Sequence, residues 1–179
     1  MSNRKKSYIF FGFLLTVVML TPACEWLGIG KGKKTEQSAT SAQHKEVKLR
    51  VIDLNEEKIH KDAHIAGAVN IPYDKLEAEA ASWDKNTPIV TYCTTYECTE
   101  SHRAAKKLKE LGFTNVRVYE GGMNDWYKHA QENKAAYPYE GSAGEAYLTK
   151  SVSKPESRES DVSSITAEEL SKNLEEARK

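Results

Sequence analysis

Short β-branched runs and longer stretches of apolar residues at helical spacing alternate between residues 46 and 138. The short runs predict four strands, near residues 48–52, 67–70, 88–92 and 115–119. The longer stretches predict four helices, near residues 55–60, 74–83, 101–111 and 123–131. Such alternation is typical of an α/β fold, in which helices cover both faces of a central, mainly parallel sheet. We therefore expect one three-layer α/β domain with a single core.

The amino terminus has the pattern of an export signal. A basic cluster, Arg4–Lys6, precedes an apolar stretch, residues 8–20, that is too short for a comfortable membrane span. Small residues then lead to Cys24. We expect residues 1–23 to be a signal peptide, and residues 24–45, which are polar and rich in glycine and lysine, to be a flexible tether.

The position of Cys24 directly after Ala23 resembles a bacterial lipobox, in which this cysteine is lipidated and becomes the first residue of the mature protein. The resemblance implies export and a lipid anchor to a membrane of the bacterial cell envelope, on its periplasmic or extracytoplasmic face. Leu20 lies one place further upstream than the leucine of the usual pattern, and Thr21 takes its place. Ordinary cleavage nearby and retention as an uncleaved anchor are the alternatives.

The chain after the predicted domain is polar and ends in a helical pattern. Residues 139–164 are dense in glycine, serine and charge, which predicts a low-complexity linker. Residues 165–179 predict a short helix, because Thr166 and Glu169 match a capping box and Leu170 begins an apolar stripe. Such a helix is marginal alone in water, so we expect it to dock on the domain or on a protein partner, or else to fray.

Charge and composition exclude a nucleic-acid role. The chain has 26 basic and 26 acidic residues, and removal of residues 1–23, which hold three basic and no acidic residues, moves its formal charge from zero to −3. No basic patch is left to bind a phosphate backbone. Because the sequence has neither a cluster with metal-ligand spacing nor a glycine-rich phosphate loop, we expect no metal and no other cofactor.

Cys93 stands where a predicted strand ends and a short loop leads into the predicted helix that begins at Ser101. Backbone N–H groups converge in a tight strand-to-helix loop, and the positive end of the helix dipole lies behind them. A thiol at this place ionises more easily, which suits a nucleophile. The alternative is that Cys93 is a small buried apolar residue.

Four short motifs around this cysteine occur in a familiar order. They are Asp53 at the end of the first strand, the His-Ile-Ala-Gly-Ala-Val-Asn-Ile-Pro segment at 64–72, the Tyr-Cys pair that ends at Cys93, and the Gly-Gly-x-x-x-Trp segment at 121–126. Together they resemble the rhodanese domain over roughly residues 46–137. The resemblance implies a sulfurtransferase whose cysteine carries a persulfide sulfur from a small donor to a thiol acceptor.

The active loop departs from the family pattern. It is about two residues longer, contains no glycine, carries Glu97 and Glu100, and has its nearest arginine at Arg103, inside the helix. Because each carboxylate costs an anionic donor up to about 1 kcal/mol when it is partly solvated, we expect thiosulfate to be a poor donor. A phosphatase of this fold would need an arginine where Thr99 stands, so we do not expect phosphatase activity.

The predicted site combines the nucleophile with the loop and one supporting carboxylate. Asp53 supports it, either by orienting the loop backbone or by capping the short helix that follows. The residues that we expect to line the site are Thr94, Thr95, Tyr96, Glu97, Cys98, Thr99, Glu100, Ser101 and Arg103.

Cys98 opens a second hypothesis, because it lies five residues after Cys93 on the same loop and a disulfide between them is geometrically feasible. A reactive thiolate with a resolving partner is typical of a redox pair, and an exported protein meets an oxidising compartment. Cys98 can equally be a small packed residue. The sequence thus leaves three functions open: a sulfurtransferase, a thiol-disulfide redox protein, and a catalytically weak binding module.

Overall fold

Four parallel strands form the central sheet in the computed structural model, which describes residues 48–156 and 160–179. The strands, in chain order, are β1 Arg50–Asp53, β2 His64–Ile65, β3 Val69–Asn70, β4 Ile89–Tyr92, β5 Val116–Val118 and β6 Tyr139–Glu140. The α-helices are α1 Glu57–Asp62, α2 Leu76–Ala80, α3 Glu100–Glu110, α4 Gly122–Glu132 and α5 Ala167–Arg178. Short 3-10 helices form at Tyr73–Lys75 and Ala146–Thr149.

The central sheet has the order β3-β1-β4-β5, so the first strand and the strand before Cys93 are its two inner strands. Arg50 pairs with Ile89, and Ile89 pairs in turn with Val116, with all strands parallel. The predicted α/β fold with a central parallel sheet between helical layers is confirmed. As in other open α/β sheets, the carboxyl ends of these strands meet at one edge, where ligands bind.

Neighbouring residues of the inner strands belong to two separate apolar cores. Ile52 and Ile89 pack with the residues of α2 and α3, whereas Val51 and Val90 pack with those of α4 and α5. This alternation follows from the two-residue period of a strand. Because both faces of β4 are covered, all four of its residues are buried, which explains its continuous apolar and β-branched sequence.

The shortest strands and helices differ most from the elements predicted from the sequence. The strand predicted near 67–70 is reduced to β3, and the helix predicted near 74–83 consists of a 3-10 turn followed by α2. A second, two-stranded antiparallel sheet, β2 with β6, was not predicted. Strands of two residues carry no detectable period, so the sequence pattern cannot reveal them.

The segment 139–156, which the composition predicts as low-complexity linker, is ordered against the domain. It contributes β6 and a 3-10 helix, and the Leu148 side chain is buried. The Asp62 carboxylate fixes its turn by accepting the backbone N–H groups of Gly144 and Glu145 at 2.9 and 3.0 Å. Contacts with the domain, among them the buried Leu148 and the Asp62 carboxylate, therefore order a segment whose average composition is that of a linker.

Residues 160–165 cover the outer edge of β5. Val118 donates its backbone N–H to the carbonyl of Ser163 at 3.0 Å, and its carbonyl accepts the N–H of Ile165 at 2.9 Å. This pairing satisfies backbone groups that an edge strand would otherwise expose. Residues 160–164 of the predicted linker are thus also ordered against the domain. Residues 157–159 lie outside the described residues.

Helix α5 packs on its own domain. Its capping box is formed, because the Glu169 N–H donates to Thr166 Oγ1 and the Thr166 N–H donates to Glu169 Oε2, both at 3.2 Å. Leu170 and Leu174 are buried in the core that also holds Trp126. The apolar stripe is therefore used within the domain, which is one of the alternatives that the sequence left open for this helix.

The predicted signal peptide, tether and lipidation site at Cys24 lie outside the described residues. Among residues 48–156 and 160–179, no helix is both long and apolar enough to cross a bilayer.

Candidate active site

Cys93 follows β4 directly, at the carboxyl edge of the central sheet. Its side chain is 2% exposed, and its Sγ forms a disulfide with Cys98, with the two Cα atoms 6.4 Å apart. The loop then enters α3 at Glu100, so the nucleophile predicted from the sequence lies between the end of a buried strand and the start of an 11-residue helix.

The first turn of α3 lies beside the Cys93 sulfur. Ser101 is buried, and its Oγ is 3.9 Å from Cys93 Sγ. Thr91, inside β4, fixes this turn by donating its hydroxyl to the Ser101 carbonyl at 2.9 Å. The positive end of a helix dipole favours a negative charge, so this arrangement favours the thiolate form of Cys93 once the disulfide is reduced.

The first turn of α4 holds the loop from another direction. The backbone N–H groups of Met123 and Asn124 donate to the carbonyls of Cys93 and Thr94, at 2.8 and 2.9 Å. Gly122 makes this approach possible, because its φ is +63° and a Cβ there would lie 2.5 Å from the Cys93 carbonyl oxygen. The Gly-Gly motif thus has a direct role in positioning Cys93.

Tyr96 links the loop to the same helix. Burial, and then the neighbouring Asp125 carboxylate, raise the pKa of Tyr96 from 10.0 to about 12. Asp125 also accepts the Tyr119 hydroxyl at 2.7 Å, and the pKa of Tyr119 is raised for the same two reasons. Both phenols therefore stay protonated near neutral pH and serve as hydrogen-bond donors to one carboxylate.

The two acidic loop residues each have a cation nearby. Glu97 lies 3.0 Å from Lys150, and Glu100 pairs with Arg103, whose guanidinium also stacks 4.3 Å above the Tyr73 ring. Such exposed pairs are weak but partly neutralise the carboxylates. The repulsion on which the poor use of thiosulfate was predicted is therefore smaller than the sequence indicates, and that prediction stays untested.

Asp53 supports the site through Tyr92, the residue before the nucleophile. The carboxylate is fully buried, its Oδ2 accepts the Tyr92 hydroxyl at 3.1 Å, and His60 Nδ1 lies 2.8 Å from the same oxygen. Its Oδ1 accepts the backbone N–H of Asn55 at 2.9 Å. Asp53 thus ties β1 to the end of β4 and to α1, instead of contacting the loop or capping the helix with its side chain.

Asn124 and His60 are site-supporting residues that the sequence reasoning missed. The buried Asn124 amide lies within hydrogen-bond distance of three carbonyls of the 139–156 segment, at 2.6 to 3.1 Å. A polar residue at a buried position of α4 was the signal that could have revealed it. The His60 ring, on α1, contacts Asp53, and no local pattern in the sequence indicates this contact.

The remaining predicted site residues form hydrogen bonds within the loop and with the first turn of α3. Thr95 is buried, and its carbonyl and hydroxyl accept the N–H groups of Cys98 and Glu97, at 3.1 and 3.2 Å. Thr99 precedes α3 and its carbonyl accepts the Arg103 N–H at 3.1 Å. Within the described part of the chain, no three His, Cys, Asp or Glu side chains are grouped so that they could hold a metal ion.

A three-layer α/β domain with a cysteine at the carboxyl end of an inner strand is the arrangement that the rhodanese resemblance implies. The model of the family described as "Rhodanese-like domain" matches residues 36–129, more than half of the chain. The chain therefore belongs to the rhodanese-like domain family.

Relatives with related names are about one third identical. A protein named thiosulfate sulfurtransferase GlpE, from Coxiella burnetii, is 30% identical over 79 residues, which are 44% of this chain and 72% of that protein. A putative sulfur carrier protein, YrkF of Bacillus subtilis, is 33% identical over 78 residues, which are 44% of this chain but only 41% of the relative. The sulfurtransferases are thus among the proteins to which this chain is similar.

Solved structures also match about half of the chain. The structure titled "rhodanese with anions from E. coli" is 27% identical, covers 52% of this chain and 98% of its own, and superposes with a TM-score of 0.40.

Proposed function

We propose that this domain is a sulfurtransferase that carries sulfane sulfur as a persulfide on Cys93. The observation that supports it most is the position of Cys93, which follows an inner strand and lies between the first turns of α3 and α4. The start of α3, whose Ser101 Oγ lies 3.9 Å from Cys93 Sγ, directs partial positive charge toward the sulfur, which favours a thiolate.

The reaction has two displacement steps on this one sulfur. In the first, the Cys93 thiolate attacks the sulfane sulfur of the donor, a new S–S bond forms, and the rest of the donor leaves with the electron pair of the broken bond. In the second, an acceptor thiolate attacks the outer sulfur of the persulfide and Cys93 leaves as thiolate. Small sulfur donors and thiol acceptors are therefore the proposed partners.

Intact mass of the full-length chain tests the proposal. The protein is reduced, treated with inorganic polysulfide, and measured beside Cys93→Ser and Cys98→Ser. Directly after loading, we expect a gain of one sulfur atom in the wild type and in Cys98→Ser, and no gain in Cys93→Ser. Sulfur uptake that persists in Cys93→Ser, or no uptake in any of the three, would overturn the proposal. Parallel loading with thiosulfate tests the predicted preference for another donor.

The disulfide between Cys93 and Cys98 favours a second candidate, a thiol-disulfide redox protein. Its active form would cycle between dithiol and disulfide and would need both cysteines. Under this alternative, the mass falls by two hydrogens on oxidation, the change is absent from both single variants, and reduced protein takes up no sulfur from the donor.

We further propose that the protein is exported and anchored to the bacterial cell envelope by lipid on Cys24. The basic cluster, the short apolar stretch and the small residues before Cys24 support this. Metabolic labelling with a fatty-acid analogue tests it. We expect label in the membrane fraction of the wild type and none in Cys24→Ser, whereas an unlabelled wild type would contradict lipidation.

A further inference from the structure

Cys98 occupies the place of the transferred sulfur. Its Sγ is bonded to Cys93 Sγ, and a persulfide on Cys93 would need the same bonding position for its outer sulfur. Disulfide and persulfide therefore exclude one another on Cys93. We propose that the chain uses this exclusion as a second activity, in which Cys98 displaces the sulfane sulfur from Cys93 as hydrogen sulfide. The inference rests on the proposed function and extends it from sulfur transfer to persulfide reduction.

The contact identifies the sulfur that Cys98 attacks. Because the bond in the structure joins Cys98 Sγ to Cys93 Sγ, the atom within reach is the inner sulfur of a persulfide on Cys93. Attack by the Cys98 thiolate forms the disulfide and breaks the bond to the outer sulfur, which leaves with the electron pair and takes up the proton that Cys98 has lost. The sulfane sulfur is reduced by two electrons to sulfide, and the two cysteines are oxidised to the disulfide.

The loop that brings the two sulfurs together is held at both ends. The carbonyls of Cys93 and Thr94 accept N–H groups from α4, and a turn in which Cys98 donates its N–H to Thr95 at 3.1 Å sets the other end. Thr95 itself is buried. Closing a five-residue loop costs little conformational entropy compared with a longer one, so the intramolecular attack competes well with an external thiol.

The difference in burial between the two cysteines determines which sulfur a reductant attacks when it reduces the disulfide. Cys93 is 2% exposed, whereas Cys98 is only partly buried at the margin of the core. A dithiol reductant therefore reaches Cys98 first and expels Cys93, whose thiolate is favoured by the first turn of α3. The thiol whose thiolate is more stable is the better leaving group in such an exchange. The reductant is oxidised to its own disulfide, and Cys93 is ready for a new sulfane sulfur.

A single-turnover experiment on the full-length chain tests the inference. The reduced protein is loaded with inorganic polysulfide, separated from donor and reductant by rapid gel filtration, and followed by sulfide assay and intact mass. Cys98→Ser is the test variant. Cys24→Ser is the matched control, because it removes a cysteine outside the loop by the same exchange.

In the wild type and in Cys24→Ser, we expect one sulfide to be released per persulfide while the mass changes from one added sulfur to a loss of two hydrogens. In Cys98→Ser, the persulfide should persist at least about tenfold longer, a difference of about 1.4 kcal/mol in the barrier. Equal persistence in wild type and Cys98→Ser, or sulfide release without disulfide formation, would overturn the inference. Absence of sulfur uptake by all three proteins would instead refute the proposed function, and the inference with it.

Discussion

Gly122 offers the sharpest test of how the site is positioned. Substitution by alanine adds one methyl group at a point where the ideal Cβ would lie 2.5 Å from the Cys93 carbonyl oxygen and 2.7 Å from the Thr94 carbonyl carbon. Both neighbours are backbone atoms, so no side-chain rotation relieves the contact. The loop or the start of α4 must move by several tenths of an ångström, which weakens the hydrogen bonds from Met123 and Asn124.

Two free-energy costs add when alanine replaces Gly122. The φ of +63° lies in the left-handed region, where a residue other than glycine costs about 1 kcal/mol. Overpacking of a rigid environment costs about 1–3 kcal/mol more. We therefore expect Gly122→Ala to lower the free energy of unfolding by about 2–4 kcal/mol, and to slow persulfide formation because the loop that carries Cys93 is displaced.

Gly67→Ala is the matched control. Gly67 has a φ of +85°, but a Cβ there would meet no atom within 4 Å, so it carries the conformational cost alone. Urea unfolding under reducing conditions measures both variants, and single-turnover sulfur loading measures the site. Equal losses of stability in Gly122→Ala and Gly67→Ala, or an unchanged loading rate in Gly122→Ala, would refute the reasoning.

Three further predictions concern the supports of the site. Leu170→Ala should lower the free energy of unfolding by about 2–5 kcal/mol in urea, because Leu170 is fully buried on the inner face of α5, and an unchanged midpoint would contradict a stabilising role of this side chain. Asn124→Ala leaves three carbonyls without their amide donor and should cost about 1–3 kcal/mol in the same assay, whereas a loss no larger than that of a surface substitution would contradict these bonds. Burial and then Asp125 raise the pKa of Tyr96 from 10.0 to about 12. Between these two pH values Tyr96 is ionised in the unfolded chain but protonated in the folded protein, so the free energy of unfolding falls as the pH rises from the lower value to the higher. Tyr96→Phe should therefore show a shallower loss of stability over the same pH range, and identical pH profiles would refute the shift.

The sequence was a good guide to the elements that build the central sheet, and the reason is physical. Strand β4 is buried on both faces, so apolar or β-branched residues are favoured along its whole length, as in Ile89–Tyr92. Helix α5 could also be predicted, because its capping box is a local interaction between Thr166 and Glu169. Local and periodic requirements leave a pattern in the sequence.

Contacts made over long distances in the chain leave no such pattern. Asp62 was an ordinary helix-end carboxylate in the sequence, yet it binds the turn at residues 142–145. Leu148 and Val162 lie in short stretches with no helical or strand period, and nothing in the local pattern indicates that they are buried. The same holds for the role of Gly122, whose motif was visible but whose close approach to the loop depends on how α4 is placed against β4.

The altered loop and the segment 139–156 form one structural arrangement. The family match ends at residue 129, so this segment lies beyond it. Lys150 pairs with Glu97 on the loop, and the segment's carbonyls hold Asn124, whose own N–H binds the carbonyl of Thr94. The loop, which contains no glycine, is thus supported by contacts from outside it. The segment 139–156 therefore helps to hold the loop on which Cys98 is bonded to Cys93.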